Sequence, residues 1–513
     1  MSISAGPDVA ARAESGAELR DVRVAIVGTG FSGLGMAIRL KQQGSDDFLV
    51  LERGEDLGGT WRDNTYPGCA CDVQSHLYSF SFALNPDWTH LYSPWDEIQE
   101  YLRRCAERFG VASHIRYRSE VTDATWDEEA QRWRITTSQG PLTAAVLVLG
   151  NGPLSAPSLP AIPGLAGFQG TLFHSAQWDH AHDLTGERVA IIGTGASAIQ
   201  FVPHIQPQVG QLTLFQRTPP WIVARRDHPI VPWRRAVYRW APFAQRSVRA
   251  LMYWQREIGA LALVYRPSML RSFENLARRH LAAQVPDPTL RAKLTPNYTI
   301  GCKRILLSDD FYPTLTRDNV EVVTERIREV RAAGVVTEDG VERPIDTIIV
   351  ATGFHVTDSP LAQLVRGRGG QLLAEAWRDG MQAYLGAAVA GFPNLFILIG
   401  PNTGLGHTSM VYMIESQIAY ILDCLRTMER RQIQTCEVRP EVQAAYNDEL
   451  QRRMRGTVWT SGCSSWYLDA RGRNSTLWPG FTYEFRRKTR RFDAASYALT
   501  PQEAPRVPAG LRR

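Results

Sequence analysis

The chain predicts an α/β protein built on two dinucleotide-binding units, one inserted in the other, with a helical excursion in the second. Three observations carry this. First, residues 22–27 form a β-branched apolar run that enters Gly28-Thr29-Gly30-Phe31-Ser32-Gly33, and residues 189–192 enter Gly193-Thr194-Gly195-Ala196-Ser197-Ala198 in the same way. Second, each turn is followed by another apolar run, 48–51 and 212–215, and then by a charged residue 24 positions after the first glycine, Glu52 and Arg217. Third, a later apolar segment, 394–399, falls where a returning strand of the first unit would lie.

A strand entering a glycine turn that opens a helix lets backbone amides approach a pyrophosphate at the positive helix end. The residue ending the next strand then meets the adenosine ribose. A carboxylate there accepts bonds from free hydroxyls, whereas a guanidinium suits a 2′-phosphate. Glu52 therefore assigns FAD to the first unit and Arg217 assigns NADPH to the second. Two Rossmann-type turns in register are far more specific than a single one, which is often only a turn.

The remaining elements follow in order. Ser93-Pro94-Trp95-Asp96 reads as a capped helix start, ending before Gly110. Residues 121–137 read as a hairpin, and 144–149 as a buried strand breaking at Gly150-Asn151-Gly152. Residues 153–163, with four prolines, form the linker. Strands of the second unit resume at 320–323 and 347–350. A helix is expected over 408–426, after Gly400-Pro401-Asn402. The expected division is 18–152 and 381–499 for the FAD-binding domain, 153–380 for the NADP-binding domain, and loose tails at 1–17 and from Thr500.

The excursion, about 224–300, carries twelve arginines against three acids (Asp227, Glu257, Glu274) between Arg225 and His280, with Trp233, Trp240 and Trp254 interleaved. It reads as helices with a solvated basic face. Contact with an anionic membrane surface, a docking partner, or attraction of NADPH are the lesser alternatives.

With 513 residues the chain holds two or three domains, and a net charge of +5 gives no footprint for nucleic acid. Seven scattered cysteines point to a reducing compartment rather than a disulfide framework. The opening residues lack the apolar core of a signal peptide, and no run reaches bilayer-spanning length, so a cytoplasmic protein is expected. Cys69-x-Cys71 is too closely spaced for an easy disulfide. His180-x-His182-Asp183 has no further ligand cluster, so no metal is assigned.

Between the two units sits Phe168-x-Gly170-xxx-His174-xxx-Trp178-Asp179. Here the sequence resembles the type I Baeyer–Villiger monooxygenases, whose fingerprint it matches at every specified position. The resemblance spans roughly residues 22–492. It includes Gly58-Gly59-Thr60-Trp61, Tyr66-Pro67-Gly68, Asp72, Phe215-Gln216-Arg217-Thr218-Pro219, Cys302-Lys303-Arg304, Ala351-Thr352-Gly353-Phe354 and Ser465-Trp466-Tyr467. Trp178 and Asp179 set it apart from the related flavin-containing monooxygenases that oxidise nitrogen or sulfur, the alternative reading.

The resemblance implies FAD contacts from Gly28, Gly30, Ser32, Gly33, Glu52, Gly58, Gly59, Thr60, Trp61, Asp72, Tyr78, Val121 and Met410. It implies NADP contacts from Gly193, Thr194, Gly195, Ala196, Ser197, Ala198, Gln200, Arg217, Thr218, Lys303 and Trp466. The reaction it implies inserts one atom of O2 next to a ketone carbonyl, giving an ester or lactone by way of a C4a-peroxyflavin. A fixed positive charge favours that anion, and one such donor is typically worth about 3 to 4 kcal/mol. Arginine suits the role because it stays protonated when desolvated. Arg304, held by Asp72, is the expected catalytic pair.

Each residue also has an ordinary reading. Lys303-Arg304 would otherwise be a surface pair, Asp72 a turn residue, His174 a packing or loop residue, and Trp466 a core side chain. In the family, His174 couples domains and Trp466 lies on a segment that closes over NADP. His355, the glycine-rich 400–407 stretch and the continuation 468–473 depart from the better-known cyclic-ketone enzymes. They leave the ketone undetermined, as the sequence leaves the oligomeric state.

Overall fold

The computed structural model describes residues 20–463, 465–469 and 471–502. The expected amino-terminal tail, and the carboxy-terminal one beyond residue 502, lie outside the described residues. Thr500 itself does not begin a tail. The strand Tyr497–Pro501 pairs antiparallel with Ile433–Val438.

The first sheet centres on Arg20–Val27, which pairs in parallel with Phe48–Leu51 on one side and Gly140–Leu149 on the other. Continuous burial on both faces is what such a central parallel strand requires, and Val24, Ala25 and Ile26 are wholly buried. The expected hairpin forms as Val121–Asp127 against Arg132–Thr137, and Arg132–Thr137 then joins Gly140–Leu149. Late in the chain Leu395–Ile397 pairs in parallel with Gly140–Leu149, so the polypeptide does return to the first sheet. It rejoins that sheet by Val365–Arg366, beside Val121–Asp127, earlier than the division at residue 381 anticipates.

The second sheet is wholly parallel. Its order is Val320–Val323, Gln211–Phe215, Arg188–Ile192, Thr347–Val350 and Thr171–His174. Helical segments fill the excursion: Pro232–Trp240, Pro242–Ala260, Leu270–Gln284 and Pro288–Lys293.

The two units repeat at the level of single hydrogen bonds. Gly28 N–H donates to Leu51 O (2.8 Å) and Gly193 N–H to Phe215 O (3.2 Å). Likewise Gly150 N–H donates to Val27 O and Ala351 N–H to Ile192 O, both at 2.8 Å. They differ at the third motif position. A Cβ on Gly33 would meet Gly28 O at 1.8 Å, so the first helix crosses its strand too closely for any side chain. The second unit carries Ala198 there, wholly buried.

One cap differs from expectation. The helix Trp95–Arg108 starts after Pro94 without a side-chain cap. Ser93 is fully buried and exchanges hydrogen bonds with Ser75 instead (Oγ to Oγ 2.7 Å). The long helix Met410–Arg430 begins two residues later than expected and runs further, capped by the Ser409 hydroxyl.

Candidate active site

A single cavity of about 1730 Å³ runs between the two glycine turns. One small ligand typically fills about 300–1,000 Å³, so this space suits more than one. Its wall contains Gly28, Gly30, Ser32, Glu52, Gly58, Gly59, Thr60, Trp61, Asp72, Tyr78, Val121 and Met410 from the first set. From the second set it contains Gly193, Thr194, Gly195, Ala196, Ser197, Gln200, Arg217, Thr218, Lys303 and Trp466, together with Arg304. Gly33 and Ala198 are not on the wall. They pack the helices against their strands.

Both helices, Phe31–Gln42 and Ala196–Ile205, begin on a glycine, Gly30 and Gly195, with no side-chain cap. Their first amides are therefore free for an anion, and the helix ends add positive potential. The cavity thus fits two phosphate-bearing cofactors. Glu52 and Arg217 have opposite surroundings. Glu52 is buried; its carboxylate accepts from Thr29 N–H (3.1 Å) and Oγ1 (2.5 Å), Gly54 N–H (2.8 Å) and Arg62 Nη1 (2.6 Å). Burial pushes its carboxyl up, but the Arg62 charge and these donors outweigh burial and hold it below the ordinary value. Arg217 is exposed on the cavity wall and has no carboxylate partner among the described residues.

Asp72 and Arg304, 232 positions apart, meet in the cavity wall. Arg304 Nε and Nη2 both donate to Asp72 Oδ2, at 3.0 and 2.5 Å. The Asp72 charge raises the guanidinium further above its ordinary range. Burial pushes the Asp72 carboxyl up, but the Arg304 charge prevails and holds it low. The side chains keep 39% and 26% of their exposure because they face the cavity. Beside them, Lys303 Nζ sits 5.0 Å over the Tyr298 ring, and burial followed by the nearby Arg217 charge lowers its ammonium.

Gln200 does more than line the second motif. Its amide accepts from Tyr66 Oη (2.9 Å) and donates to Ala70 O (2.9 Å), tying the second unit to the segment that carries Asp72. Tyr78 Oη accepts from Trp61 Nε1 at 3.1 Å, fixing two aromatic walls. Trp466 is 45% exposed on the rim, with its ring 4.4 Å from that of buried Tyr467.

None of the fingerprint residues Phe168, Gly170, His174, Trp178 and Asp179 lines the cavity. A Cβ on Gly170 would strike Asp346 O at 2.1 Å. His174 is buried at the end of the strand Thr171–His174; its Nδ1 accepts from Ala176 N–H (3.1 Å), and burial lowers its imidazole. Trp178 packs its ring 5.2 Å from Phe201 on the motif helix. Trp178, whose ring also lies 5.2 Å from that of Phe173, packs the edge strand Thr171–His174 of the second sheet against the motif helix.

The seven scattered cysteines hide one bond. Cys302 and Cys463 form a disulfide across 161 positions, with Cα atoms 6.2 Å apart. No sequence pattern announces it, because the partners meet only in the tertiary structure. It joins the neighbour of Lys303 to the segment preceding Trp466. Cys69, Cys71, Cys105, Cys424 and Cys436 are free and buried. His180 Nε2 instead lies 2.7 Å from Thr65 Oγ1, and His182 contacts Glu187 and Thr347. Among the described residues no group of three or more His, Cys, Asp or Glu could hold a metal.

Arg62 and Thr29, which clamp Glu52, escaped sequence reasoning, although Arg62 directly follows Gly58-Gly59-Thr60-Trp61. So did Arg326 and Arg328, which reach the cavity from beyond the strand Val320–Val323. No motif marks them.

The flavin-binding monooxygenase-like family model matches residues 21–257. A Baeyer–Villiger monooxygenase of Streptomyces coelicolor is 53% identical over 480 residues, covering 93% of this chain and 92% of that protein. The chain belongs to the Baeyer–Villiger monooxygenase family. A Pseudomonas aeruginosa Baeyer–Villiger monooxygenase is 52% identical over 94% of this chain and 92% of its own length. A closed cyclohexanone monooxygenase structure superimposes with a TM-score of 0.84 at 28% identity, covering 94% of this chain and all of that one. A steroid monooxygenase bound to NADP gives 0.82 at 31% identity, with the same coverage. The enzyme is an FAD- and NADPH-dependent Baeyer–Villiger monooxygenase, acting on a ketone to give an ester or lactone.

Proposed function

We propose that Arg304 is the catalytic cation of this oxygen insertion and that Asp72 positions it. The observation that carries this is their ion pair in the cavity between the two glycine turns. FAD reduced by NADPH supplies the activated oxygen when both are bound. The Arg304 guanidinium, locked by two bonds to one oxygen, presents its remaining N–H groups to negative charge developing at the ketone. Because its proton is held tightly, it acts as an electrostatic donor rather than as an acid.

In this reading Glu52 and the first turn hold FAD, joined by Gly58 to Trp61, Tyr78, Val121 and Met410. Arg217, Thr218, Lys303 and the second turn hold NADPH, and Trp466 covers it and limits water at the reacting centre. Residues 18–152 and 381–499 form the FAD-binding domain in this division, with 153–380 binding NADP and the 365–366 strand lent to the first sheet. Cytoplasmic residence belongs to the same proposal; five buried thiols are free, while the Cys302–Cys463 bond does not favour a reducing compartment. No described helix is long and apolar enough to cross a membrane.

The purified protein, with NADPH, air and a ketone panel, should give products one oxygen atom heavier by mass spectrometry. Intact FAD with no oxygen insertion into any ketone would overturn the reading. Sulfoxide or N-oxide as the sole product would instead reassign the enzyme to heteroatom chemistry.

A further inference from the structure

We infer that the helical excursion is a docking face for an anionic lipid bilayer surface. The helix Pro242–Ala260 is built inside out. On its inner face Gln245 donates to Asn85 O (2.5 Å), Arg249 donates to His76 O (2.7 Å), Tyr253 stacks on Tyr412 (4.8 Å), and Glu257 accepts from Thr482 N–H (3.0 Å). These residues recur every four positions and are drawn into the protein. The opposite face, Phe243, Leu251, Trp254 and Ile258, is exposed. A surface helix of a water-facing protein has the reverse arrangement.

The neighbouring segments repeat the pattern. Trp233, Val237 and Trp240 follow helical spacing on Pro232–Trp240, and Tyr265, Met269, Phe273 and Leu276 continue it into Leu270–Gln284; all are exposed. Trp240 is 90% exposed and Phe243 71%, whereas Trp88, Trp133, Trp221, Trp459 and Trp478 are fully buried. Trp254 lies 6.1 Å from Tyr483, and Phe481 links Tyr483 (5.2 Å) to Tyr265 (4.9 Å), so these four rings form one continuous strip. An apolar surface of this kind on a soluble-type fold marks an interaction site.

Charge selects the occupant. Arg234, Arg246, Arg266, Arg271 and Arg279 are exposed among these side chains with no carboxylate partner among the described residues, whereas Arg239 pairs with Asp87 and Arg278 with Glu274. The two acids between residues 231 and 280 are withdrawn: Glu257 is buried and Glu274 pairs with Arg278. A second copy docking the same face in a two-fold arrangement would oppose arginine to arginine. An anionic bilayer accepts both features, with tryptophan and phenylalanine entering the headgroup boundary and arginine meeting phosphate. The expected solvated basic face is thus half apolar, and Arg249 turns inward.

The test uses FAD-loaded full-length enzyme floated with phosphatidylcholine vesicles with or without phosphatidylglycerol. Binding should favour the anionic vesicles by at least about tenfold and fall with salt. The combined Trp240→Ser, Phe243→Ser and Leu251→Ser replacement should lose binding, while FAD content and NADPH oxidation with a water-soluble ketone stay unchanged. Arg234→Glu with Arg246→Glu should abolish the anionic preference alone, and serves if the triple replacement loses FAD. Wild-type enzyme that ignores anionic vesicles overturns the inference. So does a dimer that the triple replacement dissolves without any vesicle binding.

Discussion

Removing the Arg304 guanidinium tests the centre of the mechanism, because the structure fixes both the charge and its holder. Arg304 gives two bonds to Asp72 Oδ2, at 3.0 and 2.5 Å, and is the residue of that pair with N–H groups left to face the cavity. Loss of one preorganised donor of this type typically costs about 3 to 4 kcal/mol of barrier, a factor of roughly 10² to 10³ in kcat. Arg304→Ala should therefore keep its FAD, hold its thermal midpoint within a few degrees, and lose ester formation by about that factor. Arg304→Lys restores charge but not the fork, and should recover only part of the rate.

Asp72→Ala should cost less, since the guanidinium remains charged but wanders. If Asp72 acts only through Arg304, the double replacement is no slower than Arg304→Ala alone. Sign matters for pH. The Asp72 carboxyl lies below its ordinary value of 3.8, so its contribution is complete above that value and disappears only as pH falls through the lowered one. The pair therefore contributes no change in rate across neutral pH. The assay is ester by gas chromatography beside NADPH consumption. Ester formation by Arg304→Ala within about threefold of wild type, or multiplicative losses in the double replacement, refutes the reasoning.

Three further outcomes are expected. Gly33→Ala should abolish FAD retention, because the new Cβ meets Gly28 O at 1.8 Å, whereas Ala198→Gly should cost only about 1 kcal/mol of helix propensity; flavin absorbance and thermal melts separate them. Arg217→Ala should raise KM for NADPH by about 10- to 100-fold while leaving NADH nearly unchanged, since one charge-assisted contact is worth about 1.5–3 kcal/mol; equal changes for both cofactors would remove the 2′-phosphate role. Alkylation of the denatured, unreduced protein should label five cysteines and all seven after reduction, and Cys302→Ser should raise the fraction of NADPH spent without ester, because the segment bearing Trp466 loses its tether.

The glycine turns and their charged endings were legible in sequence because a pyrophosphate on a helix end demands local backbone geometry. The buried strands were legible for a similar reason, as strands covered on both faces read as continuous apolar runs. The 24-residue spacing placed Glu52 and Arg217 on the cavity wall, and the family motifs brought Arg304 and Asp72 forward. Their two-point bond, 232 positions apart, was not contained in local pattern. Neither were the Arg62 clamp on Glu52, the Gln200 bridge to Tyr66, or the Cys302–Cys463 bond. Composition showed that the excursion was rich in arginine and tryptophan, but only the folded helix decides which face is spent inside. Local rules set each turn of backbone; long-range packing alone chooses which side chains meet.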